Sequence, residues 1–212
     1  QPNRAFTPMI FSSVLLRSLV WLSSFTAVVA ARAAVDSGRP APAFNVVDVA
    51  GKTHALSAYR GKTVVLEWLN PACPYVVRHY RSGNLPAVQA DAAAAGVIWL
   101  QVNSTAIGDL DPAKSIEWQK KQNVVATGYI RDADGKLGRL YGAETTPHLF
   151  VIAPDGVLVY QGAIDDQPSA SQAMTTSAHN YVRAALADLK AGRPVATPKT
   201  KPYGCGVKYA AE

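Results

Sequence analysis

Residues 63–76 read Thr63-Val-Val-Leu-Glu-Trp-Leu-Asn-Pro-Ala-Cys-Pro-Tyr-Val76. Their first half is almost entirely apolar or β-branched and lies between Gly61 and Asn70-Pro71, which is typical of a strand buried at the centre of a sheet. Pro74 suits the first position of a helix, because its φ is fixed and its missing N–H would have no helical partner there. The segment therefore predicts a central strand that leads through a short loop into a helix.

Cys73 lies in this loop, directly before the predicted helix. At a helix N-terminus, unpaired N–H groups and the positive end of the helix dipole stabilise a thiolate, which is the nucleophilic form of cysteine. A buried free cysteine often serves instead as a small apolar side chain. The loop position favours the reactive role, so Cys73 is the candidate nucleophile.

The rest of the chain alternates strands and helices. In chain order, the predicted elements are a hairpin of short strands within 44–56, the central strand, a helix over 74–95 broken at Ser82-Gly83, a strand over 97–103, helices over 111–122 and 136–141, a hairpin over 148–161 and a last helix over 178–190. This order predicts an α/β fold, with a mixed central sheet flanked by helices on both faces.

The N-terminal residues have the pattern of a secretory signal. Arg4 and Arg17 precede an apolar run over 18–31, and no acidic residue occurs there. The run is shorter than the roughly 20 residues that span a membrane, which favours cleavage over a retained anchor. Small residues at Ala31 and Ala33 suit a signal peptidase and predict Ala34 as the first mature residue. We expect a signal peptide at 1–33, a globular domain at 34–192 and a tail at 193–212.

Composition and charge exclude several classes of protein. The 212 residues are 49% apolar, which is enough for a sizeable core. Much of the positive charge lies in the leader and the tail, so the net charge of +6 does not indicate a nucleic-acid partner. Cys73 and Cys205 are too few for a disulfide-rich scaffold and lack the spacing of zinc ligands.

Several motifs together resemble the thioredoxin superfamily. They are the 64–76 segment with its cysteine, Thr146-Pro147 before a strand, and Pro154-Asp-Gly156 before the partner strand. Residues 51–62 are similar to the leader segment of the redoxin branch, which includes the alkyl hydroperoxide reductase and thiol-specific antioxidant proteins. The resemblance extends over residues 40–209 and implies a thioredoxin-like fold with an extra N-terminal hairpin.

The resemblance also implies roles for individual residues. Cys73 matches the family's nucleophilic cysteine. Thr146 and Pro147 match a cis-proline element that packs beside that sulfur and presents backbone to an incoming peptide, and Tyr75 borders the substrate groove. Glu67 matches a buried acid that many thioredoxins use as a proton relay, and burial would raise its pKa. An outward, solvated Glu67 is equally compatible with the strand.

Two departures from the family's patterns limit the chemistry. A dithiol thioredoxin has its second cysteine three residues after the first, where this chain has Val76, so a local Cys-x-x-Cys couple is impossible. Typical peroxidases have a hydroxyl residue three positions before the cysteine and a proline seven before it. Asn70 and Leu66 occupy those positions, which argues against typical peroxidase activity.

Cys205 is the only other cysteine, and three arrangements remain open. In the first, Cys205 is a resolving thiol on a mobile tail. In the second, it forms a structural disulfide with Cys73 that holds the tail to the domain. In the third, it never meets Cys73. A bridge between them would close a loop of about 130 residues, worth about 4–5 kcal/mol in the chain-entropy model.

Two other features have a functional and a structural interpretation. His148 could support the Cys73 thiolate or help to bind copper(I), but a lone histidine near a strand start is more often structural. Asp165-Asp166 predicts a solvated turn rather than a calcium site or a catalytic role, because no further acidic ligands are spaced around it.

These observations predict an exported, thiol-dependent oxidoreductase that acts on disulfides or peroxides through Cys73, with Cys205 as the candidate resolving thiol. Its expected partners are a protein or small-molecule thiol or disulfide and an external reductant, and its expected location is the periplasm. We expect no cofactor, no metal, no nucleic acid and no stable membrane insertion after signal cleavage. The alternative is a non-catalytic thioredoxin-fold module that binds a metal or a partner protein.

Overall fold

The structure is a computed structural model that describes residues 2–3, 35–106, 110–171 and 177–211. The chain divides into a first unit, Gln1–Ala31, and a second, Arg32–Glu212. The expected signal peptide lies almost entirely outside the described residues and stays a prediction. In the described part of the chain, no helix is both long enough and apolar enough to cross a membrane.

All the strands and helices among the described residues lie in the second unit. The strands are β1 (Asn45–Val47), β2 (Thr53–Ala55), β3 (Val64–Trp68), β4 (Ile98–Asn103), β5 (Gly128–Arg131), β6 (Thr145–Thr146), β7 (His148–Ile152), β8 (Leu158–Gly162) and β9 (Cys205–Gly206). The helices are α1 (Pro74–Arg81), α2 (Asn84–Ala94), α3 (Pro112–Lys121), α4 (Lys136–Tyr141) and α5 (Tyr181–Lys190), with a 3-10 helix over Leu56–Tyr59.

Within the described residues, the main sheet has the strand order β5-β4-β3-β7-β8. β3 runs parallel to β4 and antiparallel to β7, so the sheet is mixed and β3 lies at its centre, as the sequence predicts. β1 and β2 form the expected N-terminal hairpin. All five residues of β3 are buried, which explains its nearly continuous apolar sequence.

Helices cover both faces of the sheet. On one face, Val76 of α1, Val88 of α2 and Val182 of α5 pack in the apolar cluster that also contains Cys73. On the other face, Leu137 and Tyr141 of α4 pack in a second cluster. The α/β architecture with helices on both faces is therefore confirmed.

Besides the short strands β6 and β9, which were not predicted, two elements differ from the sequence prediction. β5 was not predicted: it is four residues long, begins at a glycine, and exists because it pairs with β4. Gly128 is needed there, since a Cβ would lie 2.7 Å from Nε2 of His54. Helix α5 begins at Tyr181 rather than near residue 178, because the Asn180 side chain accepts a hydrogen bond from the N–H of Arg183 and caps the helix.

The C-terminal tail lies against the domain. The Thr200 N–H donates to the carbonyl of Gln161 in β8 (3.0 Å). Further along, the Tyr209 hydroxyl donates to the carbonyl of Ala143 (2.6 Å). Between these two contacts, β9 pairs with β6 in an antiparallel register that no local sequence pattern indicates.

Candidate active site

Cys73 is the N-cap residue of α1. Its backbone is extended, Pro74 occupies the first helical turn, and the Cys73 N–H donates to the carbonyl of Asn70 (2.9 Å). The Asn70 side chain accepts from the N–H of Ala72 (2.9 Å), which fixes the turn between β3 and α1. The sulfur is thereby held at the helix N-terminus, as the sequence predicts.

Cys205 reaches this sulfur from the tail. Strand β9 places Cys205 directly opposite Thr146 of β6. The two cysteine sulfurs are 2.8 Å apart, and Cys73 Sγ lies 3.0 Å from the carbonyl oxygen of Thr146. Both residues are free thiols. The two cysteines therefore meet, which excludes one of the three arrangements that the sequence left open.

The two thiols differ in acidity. Burial of Cys73 opposes its ionisation, but hydrogen bonds with the side chains of Cys205 and Thr146 and with the backbone of Val76 and Cys205 outweigh it and hold the pKa of Cys73 below its usual value. Burial, the hydrogen bond to Cys73 and the negative charge of the Cys73 thiolate raise the pKa of Cys205 to about 12. The pair therefore favours a thiolate at Cys73 that accepts a hydrogen bond from a protonated Cys205.

The cis-proline element lies beside the sulfurs. The Thr146–Pro147 peptide bond is cis, in agreement with the expectation from the resemblance. Thr146 is buried, and its hydroxyl lies 3.5 Å from the carbonyl oxygen of Cys205. Thr146 thus contacts both cysteine residues, one through its carbonyl and one through its hydroxyl.

Tyr75 lies under the tail rather than beside an open groove. Its ring makes an edge contact with the ring of Tyr203, with centroids 5.9 Å apart. Cys73 is 2% exposed, so solvent scarcely reaches the candidate nucleophile while the tail is in place. Access of any substrate to Cys73 requires the tail to move.

A buried ion pair that the sequence did not predict anchors this part of the tail. Arg78 of α1 donates to Asp165 (2.9 Å), and neither side chain has exposed surface. The Tyr203 hydroxyl donates to the same carboxylate. The prediction that Asp165-Asp166 forms a solvated turn is therefore wrong for Asp165. Its partner is 87 residues away in the sequence, which is why no local pattern could indicate it.

His79 completes the anchor. Its Nδ1 lies 2.9 Å from the Asn84 amide nitrogen and its Nε2 lies 3.3 Å from the Tyr203 hydroxyl. Burial and the neighbouring Arg78 charge lower the pKa of His79 to about 3, so the ring is neutral. A neutral ring that accepts from Asn84 at Nδ1 donates to Tyr203 from Nε2.

Glu67 is buried and is not brought to the sulfurs. Its carboxylate accepts hydrogen bonds from the Tyr80 hydroxyl (2.6 Å), Trp99 Nε1 (2.7 Å) and Gln89 Nε2 (3.0 Å). Burial raises its pKa, and these three donors offset part of that effect. The solvated alternative for Glu67 is wrong. In the described residues, no hydrogen bond links it to either cysteine, so the relay role stays a prediction.

His148 faces away from the sulfurs. It shares a sheet face with Phe150, with ring centroids 4.4 Å apart, whereas Leu149 packs in the cluster that contains Cys73. Burial lowers the pKa of His148 to about 3, and its Nδ1 accepts from the N–H of Glu144 (3.2 Å). Among the residues that the structure describes, no group of three or more His, Cys, Asp or Glu is arranged to hold a metal ion.

The central strand, the helix-terminal cysteine and the cis-proline beside it define a thioredoxin-like protein of the redoxin class. The chain belongs to the AhpC/TSA family, whose model matches residues 37–161. That match includes Cys73, Thr146 and Pro147 but ends before the tail with Cys205. No curated protein matches the chain.

Solved structures agree with this assignment of the fold. The chain is similar to a hypothetical protein from Sinorhizobium meliloti, with 23% identity, a TM-score of 0.71, and coverage of 85% of this chain and 98% of that one. It is also similar to an uncharacterized conserved protein from Geobacillus kaustophilus, with 24% identity, a TM-score of 0.70, and coverage of 83% and 93%. At these identities the similarity shows the fold alone.

Proposed function

We propose that this chain is an exported thiol–disulfide oxidoreductase in which Cys73 is the nucleophile and Cys205 the resolving thiol. The observation that carries the proposal is the 2.8 Å separation of the two sulfurs. The opposite pKa shifts support it, because one thiol ionises readily while its neighbour keeps a proton. The AhpC/TSA family is a family of thiol-dependent redox proteins, which agrees with this chemistry.

The proposed reaction has two exchanges. The Cys73 thiolate attacks one sulfur of a substrate disulfide, forms a mixed disulfide and expels the other half as a thiolate. Cys205 then attacks the Cys73 sulfur, forms the Cys73–Cys205 disulfide and releases the second half, which takes the Cys205 proton. The substrate gains two electrons and the two cysteines lose two. An external dithiol or thiol reductant restores them.

The first exchange prepares Cys205 for the second. The Cys73 sulfur is neutral in the mixed disulfide, so its charge and its hydrogen bond no longer raise the pKa of Cys205. The positive charge of Lys208 continues to favour the Cys205 thiolate. The resolving thiol is therefore protonated in the reduced protein and becomes easier to ionise once the mixed disulfide has formed.

The neighbouring residues have supporting roles in this proposal. Thr146 and Pro147 bind the substrate backbone beside the sulfur, and Tyr75 contacts it once the tail has moved. The proton-relay role predicted for Glu67 is kept as part of the proposal, although its contacts reach Tyr80 of α1 rather than the sulfur.

Thiol trapping tests the proposal. Reduced protein is treated with oxidised glutathione near neutral pH, quenched with an alkylating reagent and digested for mass spectrometry. We expect the Cys73–Cys205 disulfide as the product and a glutathione adduct on Cys73 before it. In the matched control, Cys205→Ala, the adduct should accumulate because no thiol resolves it. Protein that keeps both thiols free and contains stoichiometric bound metal would instead support the binding module.

Export is the second part of the proposal and has its own test. The full chain is produced in a bacterial host, the cell fractions are separated, and the mature N-terminus is sequenced. We expect a periplasmic protein that begins at Ala34. The Ala33→Glu variant should remain uncleaved, because signal peptidase needs a small residue there. Mature protein that still carries residues 1–33 would contradict the prediction.

A further inference from the structure

The tail fills the space that a substrate must use. We call residues 203–206 the tail strand. Within it, Cys205 and Gly206 pair with Thr146 and Thr145 in an antiparallel register. This pairing keeps the backbone of Cys205 extended and places its sulfur next to the Cys73 sulfur. A cysteine in a substrate strand paired with β6 would approach Cys73 in the same way. The edge of β6 can pair with only one strand at a time, so the tail strand and a substrate strand exclude each other.

The approach of the tail strand to β6 depends on a glycine. Gly204 has a φ of +139°, and a Cβ on it would lie 2.0 Å from the carbonyl oxygen of Thr146. That oxygen belongs to the backbone beside the cis-proline and is also 3.0 Å from Cys73 Sγ. A side chain at the position before the reacting cysteine would therefore push the strand away from the nucleophile.

The position before Gly204, Tyr203, occupies a built side-chain slot. The ring of Tyr203 lies against Tyr75, and its hydroxyl contacts Asp165 and His79. Asp165 and His79 are buried and belong to the domain rather than to the tail. The slot therefore offers the aromatic ring of Tyr75 to the ring of Tyr203 and the polar groups of Asp165 and His79 to its hydroxyl, which suits a phenol.

We propose that the substrate of this site is an extended polypeptide whose disulfide cysteine follows a glycine, with an aromatic residue one position earlier. The tail strand is a resident copy of that segment. This inference rests on the proposed function and adds the substrate class to it. Backbone pairing provides sequence-independent binding, while the Gly204 approach and the Tyr203 slot provide selectivity.

Competition between the two strands also orders the reaction. The tail strand leaves, a substrate strand pairs with β6, and Cys73 attacks its cysteine sulfur, releasing the other half of the disulfide as a thiolate. When the tail strand returns, Cys205 attacks the Cys73 sulfur and the substrate peptide leaves as a thiol. Resolution and product release are then one event, with the same electron balance as above.

The test of selectivity uses the full chain with Cys205→Ala, which stops the reaction at the mixed disulfide. The probe is the peptide Lys-Pro-Tyr-Gly-Cys-Gly-Val-Lys with its cysteine activated as a thionitrobenzoate disulfide, so that attack releases a coloured thiolate. The comparison peptides have alanine in place of the first glycine or in place of tyrosine. We expect each replacement to slow the second-order rate about tenfold. Ellman's reagent, which has no peptide backbone, gives the reactivity of Cys73 toward a disulfide that cannot pair with β6.

The outcomes distinguish failure of the proposed substrate class from failure of the proposed function. If Cys73 reacts with Ellman's reagent but the three peptides react at equal rates, the substrate class is overturned and the proposed function stands. If neither the peptides nor Ellman's reagent react, the proposed function itself fails. Faster reaction of the tyrosine–glycine peptide alone supports the inference.

A chain variant tests the displacement independently. In the Cys205→Ala background, Gly204→Ala should release the tail strand and speed the reaction of Cys73 with Ellman's reagent about tenfold. Gly192→Ala is the matched control, because Gly192 also has a positive φ (+67°) but has no atom near its Cβ position. Equal rates for the two variants would overturn the claim that the tail strand shields Cys73.

Discussion

Replacing Asp165 with asparagine is expected to lower the free energy of unfolding by about 3–5 kcal/mol. The carboxylate is the ion partner of Arg78, and neither side chain has exposed surface. Without the negative charge, the guanidinium would remain buried and uncompensated. Removal of one member of a buried pair is much more costly than removal of both, so Arg78→Met combined with Asp165→Asn should recover part of the loss.

Urea unfolding of the reduced protein measures this effect without a contribution from a disulfide. The matched control is Asp91→Asn, which removes the carboxylate from another ion pair with an arginine, Arg183, but one whose side chains are 67% and 50% exposed. Exposed pairs contribute little, so the control should unfold almost like the unmodified protein. Equal losses of unfolding free energy in the two variants would contradict the claim that burial makes the Arg78–Asp165 pair the more important one.

Asp165 also connects stability to the candidate active site. It accepts the hydroxyl hydrogen of Tyr203, which holds the tail strand over Cys73. Asp165→Asn should therefore make Cys205 react faster with an alkylating reagent under native conditions. Asp91→Asn should leave that rate unchanged, since its ion pair joins α2 to α5.

The central part of the fold was predictable because its signals are local. The apolar run before Asn70 indicates β3, Pro74 marks the start of α1, and Asp111 caps α3 by accepting a hydrogen bond from the Lys114 N–H. In each case the residue that fixes the element lies within or next to it, so one window of sequence contains the whole physical cause.

The features that were missed depend on distant partners. β5 is stable only because it pairs with β4, and the tail strand has a position only because Thr146 and its neighbour offer a free edge. Asp165 resembles a turn residue until Arg78 is brought to it by the fold. For Cys205, three arrangements fit the sequence and differ only in tertiary contact, so no local window of sequence could distinguish them.

The cysteine variants should have the largest effect on activity. Cys73→Ser is expected to reduce multiple-turnover reduction of a peptide disulfide by at least about a thousandfold, because a serine hydroxyl is not ionised near neutral pH and cannot form the mixed disulfide. Cys205→Ala keeps the nucleophile, so it should still form one mixed disulfide per chain and then stop. Steady-state and single-turnover rates, measured on the same preparations, distinguish the two defects. Full multiple turnover by Cys73→Ser would overturn the assignment of the nucleophile.

The pH dependence of the first exchange tests the thiol pair itself. The rate follows the thiolate fraction of Cys73, so it should rise with pH and level off below the pH expected for an ordinary cysteine, whose pKa is about 8.5. In Cys205→Ala no neighbouring thiol donates a hydrogen bond to the Cys73 thiolate. The pKa of Cys73 should therefore rise, and the rate should reach its plateau at a higher pH. Cys205→Ser is the matched control, because its hydroxyl can still donate to that sulfur and should keep the profile closer to that of the unmodified protein. If the alanine and serine variants have the same profile, the hydrogen bond between the two cysteines does not set the acidity of Cys73.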